Sequence, residues 1–221
     1  MPIVQFDRVS KSFRVGRSRH VKDFLLGAKG QRHQSRWLTA VKDLTFSIES
    51  GETLAILGHN GSGKSTTLKL LAGVMIPSDG SVLVKGRVAP LLELGSGFHP
   101  DLTGRENIFL NAAILGVSRN SVKAKLDEIV HFSGIEDQLD TPVRFYSSGM
   151  FVRLGFAIAV NVEPEIVLVD EVLAVGDAGF QEKCLARMAQ MKNEGRTIVL
   201  VTHSLDQALA FCNRAIVLSD G

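Results

Sequence analysis

The stretch GHNGSGKST, from Gly58 to Thr66, has the residue types and spacing of a phosphate-binding loop. Its glycines let consecutive backbone N–H groups point inward around phosphate oxygens, and the helix expected after it directs its positive end at the same anion. Lys64 is placed to reach the β- and γ-phosphates as a catalytic group, and Ser65 to ligate Mg²⁺. A chance glycine-rich turn is the alternative. The residues predicted to contact phosphate are Gly58, His59, Asn60, Gly61, Ser62, Gly63, Lys64, Ser65 and Thr66.

Two adjacent acids end the apolar run IVLVDE, from Ile166 to Glu171. A buried parallel strand brings its last residues to the carboxyl edge of its sheet, where ligands bind in open α/β folds. There Asp170 is predicted to hold Mg²⁺, usually through water, and Glu171 to polarise the water that attacks the γ-phosphate. Because solvated acids at strand ends are common, this prediction depends on the phosphate loop upstream.

His203 ends the apolar run TIVLVTH, and the strand predicted there should lie beside the Asp170 strand. Its imidazole is therefore a candidate catalytic contact to the γ-phosphate, although a histidine in such a place is more often structural.

A polar motif, YSSGM from Tyr146 to Met150, stands where a helix begins. Ser147, Ser148 and Gly149 have the residue types of a helix cap, and a plain cap is one interpretation. Three small residues in a row also suit a second phosphate-facing helix start. If the helical segment projects away from its own phosphate loop, this start would close on the loop of another copy.

Alternating strand and helix patterns predict an α/β fold with a parallel sheet. Between about Leu102 and Ala159 the pattern is helical without a convincing strand, so a helical lobe interrupts the sheet region. In that lobe TGRE, Thr103–Glu106, is a capping box, and Val122, Leu126, Ile129 and Val130 mark one helical face. Outside it the predicted strands are TLAILG, IVLVDE, TIVLVTH and RAIVLS, and the predicted helices are KSTTLKLLAG, GFQEKCLARMAQMKNEG and SLDQALAFCN.

Composition bounds the class of protein. A chain of 221 residues, 45% hydrophobic, is long enough for one well-packed domain. Its net charge of +2 gives no argument for nucleic-acid binding, and its two cysteines, Cys184 and Cys212, lack metal-ligand spacing and fit a reducing cytosol. No apolar run approaches the length of a membrane span and no secretory signal begins the chain, so we expect a soluble protein that acts at a membrane through a partner.

Taken in order, these motifs resemble the ATP-binding cassette (ABC) family over nearly the whole chain. The ordered features are an aromatic near the start, GHNGSGKST, a switch loop, a helical lobe, YSSGM, IVLVDE, AVGD and VTHS. The resemblance implies a P-loop NTPase (RecA-like) core with an antiparallel β subdomain and an inserted α-helical subdomain. Within a single domain, 1–221, the core would be 1–100 and 160–221, and the helical subdomain 101–159.

The resemblance also implies an ATPase that uses Mg²⁺ and works as a head-to-tail homodimer. Each ATP would lie between the phosphate loop of one subunit and Ser147–Gly149 of the other, with Asp177 of AVGD at the seam. Phe13 would stack on adenine, where the family places an aromatic residue. Trp37 is the competing candidate, and core packing is the plain alternative for either ring.

Three features depart from the family pattern. The signature motif reads Tyr-Ser-Ser-Gly-Met where the family has Leu-Ser-Gly-Gly-Gln, so its final Gln is lost. The switch loop carries Glu93 near the position of the usual Gln, and Glu93 is a candidate metal ligand. A basic insertion spans residues 14–37, with Asp23 as its single acid and with Arg14, Arg17, Arg19, Lys22, Lys29, Arg32 and Arg36 as its cations.

These departures together resemble the ATPase subunits that export bacterial cell-surface polysaccharides, such as O-antigen, capsule, teichoic acid and galactan. That resemblance implies an integral membrane permease as partner, a lipid-linked glycan as cargo, and a peripheral location on the cytoplasmic face of the inner membrane. The insertion could lie against that face, since Val21, Phe24, Leu25 and Ala28 line one side of a short helix. A solvated basic loop is the alternative.

Two other classes of function remain open at this stage. A soluble ABC-type ATPase acting on DNA or ribosomes usually shows a coiled-coil insertion or two cassettes, and neither pattern is present. A small-molecule P-loop kinase would have no need of YSSGM or His203.

Overall fold

The computed structural model describes residues 1–15, 36–91, 94–170 and 176–219, and the structural statements below concern these residues. The predicted roles of Glu93 and Glu171, and of nearly all of the basic insertion, lie outside them. The strands are β1 (Pro2–Val15), β2 (Arg36–Glu49), β3 (Thr53–Gly58), β4 (Asp79–Val84), β5 (Val88–Pro90), β6 (Ile166–Val169), β7 (Thr197–Thr202) and β8 (Arg214–Leu218). The α-helices are α1 (Lys64–Leu71), α2 (Gly104–Ile114), α3 (Arg119–Ser133), α4 (Ser148–Asn161), α5 (Ala178–Asn193) and α6 (Leu205–Phe211).

The described strands form two sheets. An antiparallel sheet has the order β2-β1-β4, and a parallel sheet has the order β5-β6-β7-β3-β8. Strands β3, β6 and β7 are buried along almost their whole length, which explains their continuous apolar sequences. The predicted α/β core, with its antiparallel subdomain and its neighbouring β6 and β7, is confirmed.

Side chains of the parallel sheet alternate between two cores because successive residues of a strand point to opposite faces. Ile166 and Leu168 belong to a core that also contains Phe6 of β1 and Leu68 of α1. A second core takes in Val167, together with residues of α4 and α5 such as Phe156, Val160, Cys184 and Met188. The sheet is thus covered by the antiparallel sheet and α1 on one side and by α4 and α5 on the other.

The helical lobe contains α2, α3, two 3₁₀ turns (Glu136–Gln138 and Val143–Phe145) and the first part of α4. Its own core buries Val122 and Ile129, with Leu126 and Val130 packed against them, so the predicted apolar face of α3 is confirmed. The predicted capping box is also present, since Thr103 and Glu106 each bond the other's backbone N–H.

Helix α4 joins the lobe to the parallel sheet. Its Leu154, Ala157 and Ile158 lie in the lobe core, whereas Phe156 and Val160 lie in the sheet core. The helix continues to Asn161, so the lobe core and the sheet core share this one helix. In the part of the chain that the structure describes, no helix combines the length and the apolar character needed to cross a bilayer.

Candidate functional site

The phosphate loop connects β3 to α1 and holds Lys64 inside its own curve. The Lys64 ammonium donates hydrogen bonds to the Gly58 carbonyl at 2.6 Å and to the His59 carbonyl at 3.1 Å. With 8% of the residue exposed, Lys64 is fixed at the base of the loop and not extended into solvent. The loop thus holds a buried ammonium group at its own base.

Gly63 shows why this loop requires glycine. Its φ is 99°, and a Cβ added there would lie 2.3 Å from the Ala40 carbonyl oxygen of β2. Any side chain would thus combine an unfavourable backbone conformation with a collision against backbone. The loop is seated directly on the antiparallel sheet.

The loop opens onto a pocket of about 460 Å³, within the size range of small-molecule sites. The predicted adenine contact Phe13, most of the phosphate loop and Asp170 all line this pocket. Gly58 supports it from beneath by accepting the Lys64 hydrogen bond, and Ser62 is buried under the loop. The described lining residues are Phe13, Leu38, Ala40, His59, Asn60, Gly61, Gly63, Lys64, Ser65, Thr66 and Asp170.

The register of β1 against β2 shows which of the two aromatic candidates faces the pocket. Phe13 lies opposite Leu38, and Arg14 lies opposite Trp37. Because opposed residues share a face and neighbours alternate, Phe13 and Leu38 face the pocket while Trp37 points away, 64% exposed. The structure thus places Phe13 at the pocket. Sequence reasoning missed Leu38 and Ala40 as pocket residues. Only the register of β1 against β2, which the insertion separates in sequence, shows that they face the pocket.

Asp170 and His203 follow the carboxyl ends of β6 and β7. Thr202 is the register partner of Leu57, so His203 stands level with Gly58 at the start of the phosphate loop. His203 is exposed and is not among the described residues that line the pocket, whereas Asp170 is. Glu171, next in the chain, lies outside the described residues.

The donor set at the pocket fits Mg²⁺. The Ser65 hydroxyl and the Asp170 carboxylate are both on the pocket wall, and hard oxygen donors of this kind suit a magnesium ion shared with phosphate. Among the described residues no cluster of three or more His, Cys, Asp or Glu side chains forms a metal site. In protein sites shared with phosphate, Mg²⁺ usually keeps several positions for phosphate oxygens and water, beside one or two protein ligands.

The YSSGM motif lies elsewhere, at the start of α4. Ser147 is the cap, and its hydroxyl accepts the Met150 N–H at 3.2 Å. Ser147 and Ser148 are exposed, and none of Ser147–Gly149 lines the pocket described above. The helix start thus presents small polar groups to solvent, and the structure does not bring it together with the phosphate loop of the same chain.

Tyr146 stands where the family motif has leucine, and its side chain makes specific contacts within the lobe. Its hydroxyl donates to the Gln138 carbonyl at 2.8 Å, and burial raises the pKa of the phenol. A Cβ on Gly104 would lie 2.1 Å from that hydroxyl oxygen, so the glycine at the start of α2 makes the room. Tyr146 therefore ties the motif to two other segments of the lobe.

Asp177 connects the motif helix to α5. It caps α5 by accepting the Phe180 N–H at 2.9 Å, and it pairs with the Arg153 guanidinium of α4. The Phe180 N–H and then the Arg153 charge hold the pKa of Asp177 below its ordinary value. The Arg153 guanidinium carbon lies 5.3 Å from the Phe180 ring centroid. Sequence reasoning missed Arg153, since nothing in its spacing marks an ion pair 24 residues away.

The described part of the switch loop packs tightly on α4. A Cβ on Gly155 would lie 2.6 Å from the Gly95 nitrogen, and a Cβ on Gly95 would meet the Phe151 ring at 2.2 Å. The Asn111 amide also donates to the Ser96 carbonyl at 2.9 Å. The segment that follows Glu93 is therefore in direct contact with the helix that begins at YSSGM.

Comparison with known families agrees with this arrangement. The model described as "ABC transporter" matches residues 41–174. The O-antigen export system ATP-binding protein RfbB of Klebsiella pneumoniae is 43% identical over 221 residues, covering 97% of this chain and 89% of that protein. The ABC transporter protein AbcA of Aeromonas salmonicida is 45% identical over 220 residues, covering 100% of this chain and 71% of that protein.

A third relative is matched over a smaller part of its length. The teichoic acids export ATP-binding protein TagH of Bacillus anthracis is 40% identical over 221 residues, which cover 99% of this chain and 39% of TagH. Among solved structures, a dimeric bacterial ABC transporter cassette superposes with a TM-score of 0.75, covering 99% of this chain and 95% of that one at 23% identity. At that identity the structural likeness supports the fold.

Proposed function

Because the chain belongs to the ABC transporter family, its reaction is the hydrolysis of ATP, and we propose that this reaction drives export of a lipid-linked cell-surface polysaccharide. The observation that carries the proposal is similarity over almost the entire chain to proteins named for O-antigen and teichoic acid export. The altered signature motif and the Glu-containing switch loop agree with it.

The catalytic unit in this proposal is a homodimer. One chain offers a pocket lined by the phosphate loop. Ser147 and Ser148 are exposed at the start of α4, and none of Ser147–Gly149 lines that pocket. A helix start with small polar residues is suited to bind an anion. In a head-to-tail pair, this start would cover the triphosphate held by the other copy, so that each site uses both chains.

In this dimer, several residues of one chain have separate roles in binding and hydrolysing ATP. Lys64 moves from its two loop carbonyls onto the β- and γ-phosphates, where its charge offsets the charge that develops as the terminal bond breaks. Glu171 orients and polarises the attacking water, and His203, level with Gly58, contacts the γ-phosphate. Phe13 stacks on the adenine at the other end of the pocket.

Ser65 and Asp170 would hold Mg²⁺ in the same pocket, and Glu93 would join them if its carboxylate turns toward it. When bound, the ion supplies neutralisation of charge on the β- and γ-phosphates. The Ser65 hydroxyl and the Asp170 carboxylate would fix where that neutralisation occurs, because Ser65 lies in the first turn of α1 and Asp170 directly follows β6.

Coupling to a permease is assigned to a groove between the core and the lobe. This groove, about 440 Å³, is lined by Val74 and Pro90 of the core, by the switch-loop residues Leu94–Ser96, and by Ile114 of α2. Val74 and Ile114 are exposed apolar side chains at its rim. A membrane-spanning partner that inserts an apolar segment here would contact the switch loop and, through Gly95 and Gly155, the motif helix.

The location that follows is peripheral, on the cytoplasmic face of the membrane, with the permease carrying the glycan. The basic insertion would lie against anionic headgroups near the permease. Reversal of Arg17, Arg19 and Arg32 to Glu is expected to impair export while leaving ATP hydrolysis by the isolated protein unchanged. Export equal to that of the parent chain would remove this part of the proposal.

The central experiment uses Glu171→Gln, which should block hydrolysis and trap an ATP-bound dimer visible by size exclusion. In the host cell, the same variant should abolish surface polysaccharide and cause the lipid-linked glycan to accumulate inside. A Glu182→Gln chain, altered at an exposed position of α5, is the matched control. A monomeric Glu171→Gln chain in ATP would contradict the dimer, and normal surface polysaccharide would contradict the export role.

A further inference from the structure

Phe145 is a large aromatic residue that stays 66% exposed immediately before the YSSGM motif. It ends the 3₁₀ turn Val143–Phe145, and the backbone of this turn is anchored to the segment before α2. The Val143 N–H donates to the Leu102 carbonyl at 2.9 Å, and the Arg144 N–H to the Pro100 carbonyl at 3.0 Å. The exposed ring is therefore held on a fixed backbone.

One face of this ring is already covered. The guanidinium carbon of Arg144 lies 4.9 Å from the Phe145 ring centroid, and the Arg144 side chain is paired with Asp101. Since the ring is nevertheless two-thirds exposed, its other face is open to solvent. An oriented aromatic with one free face is suited to stack on another flat group.

The adenine end of the pocket has a complementary gap. Phe13 and Leu38 line the pocket from neighbouring strands, and Leu38 is 53% exposed although it is apolar. The other described lining residues belong to β2, the phosphate loop, the start of α1 and the position after β6. Among the described residues, Phe13 and Leu38 thus supply the large apolar surface of the pocket, and a base bound on Phe13 has a second face that these two residues do not cover.

We propose that Phe145 closes this gap in trans, by stacking on the outer face of the adenine that Phe13 of the second copy holds. The inference rests on the proposed head-to-tail dimer, in which Ser148 reaches the phosphates of that ATP. Phe145 precedes Ser148 by three residues, a stretch of at most roughly 10 Å. It is therefore within reach of the ribose and base when Ser148 is on the phosphates.

Phe145 would then act only in the closed dimer. A single copy binds nucleotide through Phe13 and the phosphate loop without it, whereas association gains the stacking contact. Loss of one aromatic–base stack is expected to raise the ATP concentration that half-saturates dimer formation about tenfold.

The test uses the full-length chain with Glu171→Gln as background and follows ATP-dependent association by sedimentation velocity. We expect Phe145→Ala to require about tenfold more ATP, Phe145→Leu to recover little, and Phe145→Trp to restore the parent value. Leu209→Ala, at a 72% exposed apolar position on α6, is the control and should match the parent. ADP affinity, measured by calorimetry, should be the same for all variants because it reports a single copy.

The outcomes separate the two levels of the argument. If the Glu171→Gln background does not associate in ATP, the head-to-tail dimer is wrong and the role of Phe145 falls with it. If the background associates and Phe145→Ala associates at the same ATP concentration, the dimer stands and the stacking role is overturned. Equal recovery by Leu and Trp would overturn stacking in favour of a plain apolar contact.

Discussion

The phosphate loop and the YSSGM motif are both helix starts built from small residues, yet the structure treats them differently. The loop is fixed within its own chain, with Lys64 bonded to two loop carbonyls and Gly63 seated against β2. At the motif, Ser147 and Ser148 are exposed and bonded only locally among the described contacts. In the proposed dimer, this difference means that one chain builds the binding half of a site and displays the closing half for another copy.

Helix α4 joins the motif to the switch loop and to the core of the parallel sheet. This helix begins at the motif, contacts the switch loop through Gly155 and ends in the core beneath the parallel sheet. The pairing of Arg153 with Asp177 adds a second link to α5. A change at the switch loop therefore has a direct physical route to the helix that begins at the motif.

The substitution with the largest expected effect tests the phosphate loop, which is the binding half of the site. Lys64→Ala removes the charge held in the loop, so we expect ATP hydrolysis to fall at least about 100-fold. Nucleotide affinity of the isolated chain, measured by calorimetry, should fall as well. Lys123→Ala, at an exposed position of α3, is the control and should behave as the parent. Undiminished hydrolysis by Lys64→Ala would place the reaction elsewhere.

A second substitution tests the closing half. Ser148→Glu places a negative charge in the first turn of α4, where a carboxylate suits the helix end but repels bound phosphate. We expect ADP affinity of the single chain to stay constant while ATP-dependent dimerisation and hydrolysis fall at least about tenfold.

The matched variant is Ser121→Glu, which adds the same charge in the first turn of α3 in the same lobe. Its dimerisation should equal that of the parent. If Ser148→Glu instead weakened ADP binding to the monomer, the motif would belong to the site of its own chain, and the contrast between the two regions would fail.

A third substitution tests the contact between the switch loop and the helix that begins at the motif. Gly155→Ala places a Cβ 2.6 Å from the Gly95 nitrogen, so the switch loop must shift. Overpacking of this kind costs about 1–3 kcal/mol, against a gain of about 1 kcal/mol from better helix propensity. We expect a net loss of stability in urea unfolding and a lower hydrolysis rate.

Gly179→Ala is the control for the helix-propensity gain. Its φ is not positive, and the nearest atom to an added Cβ is the Asp177 carboxylate oxygen at 3.4 Å. This variant should be as stable as the parent or more so. A Gly155→Ala chain with the same stability gain and the parent rate would show that the switch loop does not depend on this contact.

The smallest expected effect concerns the contact between Arg87 and Glu165, close to the end of α4. The Glu165 carboxylate accepts the Arg87 backbone N–H at 2.6 Å and pairs with its guanidinium. Burial alone would raise the pKa of Glu165, but the hydrogen bonds from Arg87 outweigh burial and lower it. The bound carboxylate therefore stabilises the fold above the ordinary glutamate value of 4.5, and this contribution is lost as the pH falls through the lowered pKa.

Thermal unfolding between neutral and acid pH measures this contribution. Glu165→Gln should lose less stability on acidification than the parent, by about 1 kcal/mol or less, because 40% of the carboxylate side chain is exposed and screened. Glu182→Gln should keep the parent's pH dependence. Parallel curves for parent and Glu165→Gln would show that the Arg87 contact does not stabilise the fold.

Local patterns in the sequence were sufficient to predict those parts of the candidate site that consist of consecutive residues. The phosphate loop, the acid after β6, the capping box at Thr103 and the cap at Ser147 are short stretches whose residue types and spacing determine their backbone conformation. Even the apolar face of α3 was predictable, since helical periodicity alone places Val122 and Ile129 on one side.

Contacts between distant segments were decided by the tertiary structure. Phe13 rather than Trp37 lines the pocket because of the register of two strands that are separated by the basic insertion. Arg153 meets Asp177, and Gly155 meets Gly95, only because α4 packs against α5 and the switch loop. The sequence by itself determined which chemical groups are present and how each is presented locally. Their assembly depends on packing and strand register. A local pattern cannot predict either one, because the periodicity of side chains specifies which face of an element is buried but not which partner covers that face.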